Sequence, residues 1–346
     1  MAELTVGAGF ARGLLDLAVS KGASRRALAE RSCIDLKDLE DQENRIPFVK
    51  YVALMRAAKE LSNDPALALH YGEAVDIAKI SIIGLIGQAS ETMIEAFKQL
   101  NRFVRLIVET DNVGSGDRFA VTQERGVYWL IDNRANPNDF PELTESAFAQ
   151  MICAPRRLLD APYVREVHVT HADPGYGAEY ERIFQAPVVF GSTQNAILID
   201  EAWATHRVER LPRYVFGILN EHADAQLKSL ESSKSIQGKV ESLLMMVLHT
   251  GDAGMDRVAS KMGVSRQTLF RKLKAEGVTY EQVLDDLRHK LALHYLSGRR
   301  VSVNETAYLV GFSDPAAFSR AFKRWTGSSP RALRAAKDQD PPDEAS

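Results

Sequence analysis

The chain has 346 residues, of which 45% are hydrophobic and 26% are charged, a composition that excludes a disordered or collagen-like protein. At roughly 100 to 200 residues per domain, this length predicts about two globular domains. The formal net charge of -3, from 43 Lys and Arg against 46 Asp and Glu, argues as a whole-chain average against a nucleic-acid binder.

Helices are predicted for residues 10–110, because apolar residues recur there at spacings of three and four. Turn-forming residues separate these helices. The expected breaks lie at Gly22, 46–47, 63–65 and Gly84.

Strands are predicted beyond about residue 118, where the apolar spacing drops to two and β-branched residues are frequent. The predicted strands are 119–122, 127–132, 164–170 and 196–200. Residues 1–205 are therefore predicted to form an α+β regulatory domain.

A helix with an apolar stripe is predicted next, from about Arg207 to Leu230. The stripe is our hypothesis for a homodimer contact. The polar, serine-rich segment 229–235 is typical of an interdomain linker. Residues 206–235 are therefore predicted to be a helix and a linker.

The charge is divided unevenly along the chain. Residues 236–337 carry 17 Lys and Arg against 9 Asp and Glu, a net charge of +8, whereas residues 1–235 carry -7. The last nine residues, 338–346, carry -4 and only one alanine as an apolar residue, which predicts a disordered acidic tail. A basic module on an acidic body indicates one domain that contacts a polyanion.

The basic module contains an internal repeat. Ala259 and Gly263 are four residues apart, and Ala307 and Gly311 repeat this spacing 48 residues later. A small residue lets two helices approach closely, and glycine permits the positive φ of a tight turn between them. Each copy is therefore predicted to be a helix-turn-helix unit.

The second helix of each unit is predicted to begin at a capping residue. This residue is Ser265 in the first copy and either Ser313 or Asp314 in the second. Apolar spacing predicts that one face of these helices packs inward. The inward residues are Leu269, Leu273, Phe318, Phe322 and Trp325.

One continuous helix, Tyr280 to Ser297, is predicted between the two units, with Gly298 ending it. Its 18 residues span about 27 Å at 1.5 Å per residue. This length can hold two recognition helices about one DNA turn, roughly 34 Å, apart. One chain would then contact tandem major-groove half-sites of double-stranded DNA.

The C-terminal stretch resembles the DNA-binding domain of the AraC/XylS family of transcription regulators. Two segments carry the resemblance, VASKMGVSRQTLFRKLKAEG at 258–277 and ETAYLVGFSDPAAFSRAFKRWTGSSPRALR at 305–334. The resemblance implies an all-α domain with two helix-turn-helix units joined by a long helix. It also implies a sequence-specific regulator that contacts RNA polymerase, and we expect an activator.

Carried over by position, the resemblance implies base contacts from Gln267 and Arg271 in the first recognition helix and from Arg320 in the second. The other expected DNA contacts are polar or basic residues of the same helices. These are Arg266, Thr268, Lys272, Lys274, Ser319, Lys323 and Arg324. The second helix departs from some family members, which have amide side chains at 315–317, so we expect it to contribute mainly phosphate contacts.

Alternatives to these roles stay open at this point. Arg271 and Arg320 are each able to pair with a neighbouring carboxylate instead of a guanine. Phe270 fits packing on the adjoining helix as well as contact with a thymine methyl group. Glu305 and Asp286 are more typical of a helix cap or an ion pair than of a DNA contact.

Residues 10–205 resemble, more weakly, the arabinose-binding-type effector domain of long members of this family. The matching pieces include 45–47, 64–65, 90–92 and 187–191. The resemblance implies a small-molecule effector and often dimerisation, but it implies neither the effector's identity nor its binding residues. The alternative is a constitutive DNA-binding regulator whose N-terminal domain serves only protein contacts.

Other functional classes are disfavoured. Cys33 and Cys153 form no CxxC pair, so we expect neither a zinc site nor a disulfide framework, and no cofactor. Neither cysteine has the Pro-Cys-His-Arg-like context of DNA-repair alkyl transferases, so we expect no enzyme. The most apolar stretch, 80–87, is far short of the roughly 20 residues that span a bilayer. We therefore expect a soluble cytoplasmic protein with no membrane partner.

Overall fold

The computed structural model describes residues 4–113, 116–124, 126–156, 162–208, 211–297 and 301–338. The chain divides into two compact units, Met1–Leu227 and Lys228–Ser346. Within the described ranges, no helix has the length and apolar character needed to cross a membrane. Nor do those ranges bring together three or more His, Cys, Asp or Glu side chains that could hold a metal ion.

Helices dominate the first part of the N-terminal unit, which confirms the prediction for residues 10–110. They are α1 (Ala8–Ser20), α2 (Arg25–Ser32), α3 (Phe48–Leu61), α4 (Leu67–Ala74), α5 (Ile77–Ile80), α6 (Ile82–Ala89) and α7 (Met93–Ile107), with a 3₁₀ turn at Leu36–Leu39. A short antiparallel pair, β1 (Thr5–Gly7) and β2 (Arg45–Pro47), was not predicted, because three residues are too few for an alternating pattern.

Gly84 lies inside α6, so its prediction as a break between helices is wrong. A Cβ at this position would lie 2.2 Å from the backbone nitrogen of Ala78 in α5. The glycine is therefore required by the close approach of two consecutive helices, which local sequence does not reveal.

A five-stranded sheet completes this unit, with strand order β3-β4-β7-β5-β6. Its neighbours pair antiparallel except β5 and β6, which are parallel. The strands are β3 (Phe119–Glu124), β4 (Val127–Asp132), β5 (Val164–His168), β6 (Val188–Val189) and β7 (Ala196–Asp200). Four of these were predicted, and the two-residue β6 was not.

Three further helices pack around this sheet: α8 (Glu142–Arg156), α9 (Gly177–Phe184) and α10 (Glu201–Thr205). A buried ionic group ties α8 to the strands, because Asp132 lies between the guanidinium groups of Arg118 and Arg134 at 3.4 and 3.3 Å and accepts a hydrogen bond from Thr144 at 2.9 Å. Burial alone would raise the pKa of Asp132, but the two arginines outweigh it and hold that pKa below its usual value.

The helix α11 (Arg213–Lys234) begins later than predicted, and the unit boundary falls inside it. Arg207 instead forms an antiparallel bridge with Thr92. The serine-rich segment predicted as a linker is helical up to Lys234, so a polar composition did not interrupt the helix. Its only leucine, Leu230, is buried.

The C-terminal unit is entirely helical among its described residues, as predicted. Its helices are α12 (Ile236–Val247), α13 (Met255–Lys261), α14 (Arg266–Ala275), α15 (Tyr280–Ser297), α16 (Val303–Leu309), α17 (Pro315–Thr326) and α18 (Pro330–Asp338), with a 3₁₀ turn at Leu248–Thr250. The connecting helix α15 has the predicted bounds. Gly298 and tail residues 339–346 lie outside the described residues.

Candidate nucleic-acid interface

The two copies of the repeat close their turns in the same way. Ala259 and Ala307 are both buried at the end of the first helix of each unit. The carbonyl of each alanine accepts a hydrogen bond from the amide five residues later, Val264 at 3.0 Å and Phe312 at 2.9 Å. This confirms the two helix-turn-helix units and shows that a side chain larger than alanine would meet the core at both positions.

The glycines of the two turns have different surroundings. Gly263 has φ of +66° and Gly311 has φ of +78°, so both lie in the left-handed region that glycine adopts without strain. A Cβ at Gly263 would meet nothing within 4 Å, whereas one at Gly311 would lie 2.6 Å from the carbonyl oxygen of Leu248. The second turn therefore needs glycine for both conformation and space.

The first recognition helix, α14, begins where predicted. Its N-cap is Ser265, whose hydroxyl accepts a hydrogen bond from the Thr268 amide at 3.1 Å. Leu269 and Leu273 are buried, which turns the opposite face outward. The exposed residues on that face and its flanks are Arg266, Gln267, Phe270, Arg271, Lys272 and Lys274.

The exposed side chains of α14 differ in their partners. Arg266 forms an ion pair with Asp256 at 2.9 Å, whereas Arg271 has no ion pair in the part of the chain that is described. The alternative of a carboxylate partner for Arg271 is therefore not realised. Phe270 is 54% exposed, which leaves part of its ring available for an apolar contact. Thr268 is partly buried and hydrogen bonds Ser265.

The second recognition helix, α17, is capped by Asp314 and not by Ser313. Its carboxylate accepts hydrogen bonds from the amides of Ala316 at 2.9 Å and Ala317 at 3.0 Å. These amides hold the pKa of Asp314 below its usual value. The carboxylate also lies 4.0 Å from the Arg320 guanidinium, at the outer limit of an ion pair.

The remaining predicted residues of α17 are unequally available. Ser319 donates its hydroxyl proton to the Pro315 carbonyl at 2.9 Å, so it has no proton left for a phosphate. Arg324 pairs with Asp285 of α15 at 2.6 Å. Lys323 is exposed. The predicted DNA-binding residues thus lie on two helices, but several already have partners within the protein. These are Arg266, Thr268, Ser319, Arg320 and Arg324.

Arg288 of α15 positions the second unit and was missed by sequence reasoning. Its guanidinium donates to the carbonyls of Val310 at 3.1 Å and Gly311 at 3.0 Å, and it stacks 4.6 Å from the ring centre of Phe312. Burial lowers the pKa of this guanidinium. No local pattern signals this role, because the partners are more than 20 residues away.

Glu276 has the corresponding role in the first unit. It follows α14, and its two carboxylate oxygens accept hydrogen bonds from the amides of Ile236 at 2.7 Å and Gln237 at 2.9 Å. These amides begin α12, where a helix leaves its first N–H groups unpaired. One side chain thereby joins the end of the first recognition helix to the start of another helix. Glu305 is likewise a cap, in a capping box with Ser302.

A repeated helix-turn-helix whose second helices expose basic side chains defines a DNA-binding transcription regulator. A model of the arabinose-binding domain of AraC transcription regulators, N-terminal part, matches residues 22–208, and a helix-turn-helix domain model matches residues 258–336. The chain therefore belongs to the AraC family of transcription regulators, in the group with this N-terminal domain.

Named relatives agree with this assignment. The chain is 26% identical over 332 residues to the ornithine utilization regulator of Pseudomonas aeruginosa, which covers 94% of this chain and 95% of the relative. It is 24% identical to the transcriptional regulator VirS of Mycobacterium tuberculosis, covering 86% and 87%. The transcriptional activator RhaS of Escherichia coli is 40% identical, over 25% of this chain and 32% of its own length. These relatives are regulators of transcription and not enzymes.

The similar solved structures superpose on this chain only with low TM-scores. The regulator CdpR of Pseudomonas aeruginosa is 23% identical with a TM-score of 0.36, covering 78% of this chain and 87% of its own. The DNA-binding domain of the transcriptional factor AdpA, solved with a target DNA, is 30% identical with a TM-score of 0.29, covering 32% and 98%. The family assignment depends on the two family models and not on these superpositions.

The unequal surroundings of the two turn glycines give a testable difference in stability. Gly263→Ala should lower the free energy of unfolding of the C-terminal unit by about 1 to 2 kcal/mol, the cost of a left-handed alanine. Gly311→Ala should cost about 1 to 3 kcal/mol more, because its Cβ also overlaps the Leu248 carbonyl. Urea denaturation followed by Trp325 fluorescence, with the other tryptophans replaced by phenylalanine, measures both. Equal losses would show that the Leu248 contact is unimportant.

Proposed function

We propose that the protein is a sequence-specific transcription activator that contacts tandem DNA half-sites through α14 and α17 under the control of a small-molecule effector. The observation that carries this proposal is the exposed basic face of α14, on which Arg271 has no ion pair in the described part of the chain. A guanidinium in this position suits bidentate contact with the O6 and N7 atoms of guanine. Because such a regulator acts on the chromosome, we propose that the protein is cytoplasmic.

The two recognition helices make different kinds of contact with DNA. In α14, an amide, a guanidinium and an apolar group are available for base edges, from Gln267, Arg271 and Phe270. The first turn of α17 exposes only small or apolar side chains at 315–317, so this helix contributes mainly phosphate contacts. Lys323 is its best phosphate ligand, whereas Arg320 and Arg324 must weaken their existing pairs to reach DNA.

Effector control is proposed for the N-terminal unit because that unit matches a family model named for ligand binding. An effector acts by binding two states of the protein with different affinities and shifting their populations. Activation is proposed from the 40% identity over 88 residues to a protein named as the transcriptional activator RhaS. We propose contact with RNA polymerase as the way in which such an activator would act. The alternative remains a constitutive regulator whose N-terminal unit serves only protein contacts.

A homodimer contact is proposed on α11, over a smaller surface than the sequence indicated. Leu219, Ala223 and Leu227 of its apolar stripe pack against the N-terminal core and are not free for a partner chain. Tyr214 and Ile218 remain 73% and 62% exposed, one helical turn apart. We propose that these two side chains form the centre of the contact.

Two alanine variants separate base contacts from phosphate contacts. Arg271→Ala should weaken binding to cognate DNA by about 1 to 3 kcal/mol and lessen the preference for it, because a base contact is lost. Lys323→Ala should weaken cognate and random DNA alike and reduce the slope of log K against log salt by about 1. Fluorescence anisotropy titrations at several salt concentrations measure both effects. Equal losses on cognate and random DNA for Arg271→Ala would contradict its proposed role.

Effector control is tested by a thermal-shift screen of metabolites against the full chain. A ligand present at 100 times its Kd adds about 2.7 kcal/mol to the stability of the unit that binds it. A stabilising compound should also change the affinity of the protein for cognate DNA. If no compound of a broad library stabilises the protein, the constitutive alternative is favoured.

The dimer contact is tested by sedimentation velocity at micromolar concentration. Ile218→Glu should dissociate the dimer, because it introduces a charge at the centre of an apolar contact. Val49→Glu is the matched control, since Val49 is 69% exposed on α3 and is not part of the proposed contact. A wild-type chain that sediments as a monomer with and without DNA would remove the proposal.

A further inference from the structure

The N-terminal unit contains a cavity of about 250 Å³, bounded by α5, α6, α7, α8 and the segment that follows β7. Most of its wall is apolar. Its large apolar side chains include Phe97, Met93, Leu100, Met151 and Trp203. For comparison, an engineered apolar cavity of about 150 Å³ in another protein holds benzene, so this space suits a molecule larger than a single unsubstituted ring.

The polar groups of this cavity are few. Asp76 is the one charged side chain among its lining residues, and its carboxylate already accepts a hydrogen bond from the Ala78 amide at 3.1 Å. Two amide side chains, Gln88 and Gln150, also line the wall. The lining includes no Lys, Arg or His among the residues that the structure describes. A buried carboxylate or phosphate of a ligand would therefore lack a cationic partner.

Trp203 supplies an unused hydrogen-bond donor. The residue is 3% exposed and lines the cavity, and its indole Nε1 is buried without a hydrogen-bond partner among the residues that the structure describes. Its ring contacts Phe97 and Tyr163. The nitrogen itself has no open surface, so an acceptor atom of a ligand reaches it only after a small shift of the indole or its neighbours, and then supplies the hydrogen bond that the N–H lacks.

We propose that this cavity is the effector site and that it binds an uncharged, mainly apolar molecule whose one acceptor oxygen takes the hydrogen bond from Trp203 Nε1. The inference rests on the proposed effector control and specifies the chemical class of the effector. A pentose such as arabinose fits poorly, because it carries a hydroxyl or ring oxygen on each carbon. Besides Trp203, only three side chains of the described lining have polar atoms that could bond these oxygens. Each hydroxyl that is buried without a hydrogen bond weakens binding.

The cavity wall is hydrogen-bonded to the segment that leads into α11. The Met93 amide donates to the carbonyl of His206 at 3.0 Å, and the Leu211 amide donates to the carbonyl of Gln88 at 3.3 Å. Gln88 and Met93 both line the cavity, and so does Val208 in the approaching segment. An occupant that moves this wall therefore moves the backbone at the start of the helix in which the two units join.

Four probes of similar or contrasting chemistry test the site in the full chain by isothermal titration calorimetry. Coumarin is neutral and carries a carbonyl acceptor, naphthalene has a similar size without an acceptor, 2-naphthoate is an anion, and L-arabinose is a polyol. We expect coumarin to bind most tightly, naphthalene more weakly, and the other two not measurably. Tighter binding of 2-naphthoate or arabinose than of coumarin would overturn the assignment of ligand class.

Two variants assign the binding to the cavity. Trp203→Phe should reduce the preference for coumarin over naphthalene roughly fivefold to tenfold, because the hydrogen bond from the indole stabilises coumarin alone. Trp129→Phe, on β4 and outside the lining, should leave that preference unchanged. Ala96→Leu should abolish binding of both probes by filling the space. Thermal unfolding of each variant without probe reports whether it still folds.

The outcomes separate this inference from the proposed effector control. If coumarin binds at the cavity but leaves the affinity for cognate DNA unchanged, the binding site stands and effector control through it is wrong. If a metabolite changes DNA affinity equally in the wild-type chain and in Ala96→Leu, effector control stands and this cavity is not its site. Unchanged probe preference in Trp203→Phe would remove the role of the indole.

Discussion

The hydrogen bonds from Arg288 to the carbonyls of Val310 and Gly311 are the contact on which the second half of the DNA-binding unit depends. They hold the end of α16 and the turn after it against the long helix α15. Leu248 closes the same turn from another side, at the position where a Cβ of Gly311 would lie. Because the turn is held by two elements, the start of α17 has little freedom, and its exposed side chains are presented in a fixed orientation.

The charges of the chain have a direct consequence for how it meets DNA. The net charge of +8 belongs to residues 236–337, whereas residues 1–235 carry -7. The acidic part is repelled by phosphates, so association is steered towards contact through the basic unit. Within that unit, pairs such as Arg266 with Asp256 and Arg324 with Asp285 hold two arginines that DNA would otherwise attract. Phosphate binding at those positions replaces the carboxylate partner of each arginine by another anion. It therefore contributes less binding free energy than contact with an unpaired arginine would.

Sequence patterns predicted the features that depend on near neighbours in the chain. The Ala-to-Gly spacing, the cap at Ser265 and the bounds of α15 are all set by residues within one or two helical turns, and the structure has them as predicted. Features set by contacts between separate helices are not predictable from such patterns. Gly84 is required by the way α5 packs back on α6, although Ala78 is only six residues away, and the partners of Arg288 lie in another helix.

The candidate effector site shows the same limit more strongly. Its lining comes from residues spread between 75 and 208, and no two of its polar groups form a recognisable motif. What identifies Trp203 is an unpaired nitrogen, which is a property of the folded unit and not of the sequence around it. The segment predicted as a linker is helical up to Lys234, where the burial of Leu230 offsets the low helical preference of serine.

The difference between the two turn glycines bears on how the two halves of the repeat can diverge. At Gly263 only the left-handed backbone conformation is required, and asparagine or aspartate adopts that conformation more readily than other side chains. At Gly311 the missing side chain is itself part of the packing, so no replacement fits. The first turn can therefore accept such substitutions with less loss of stability than the second. Redesign of the DNA-binding unit would best begin with the turn before α14.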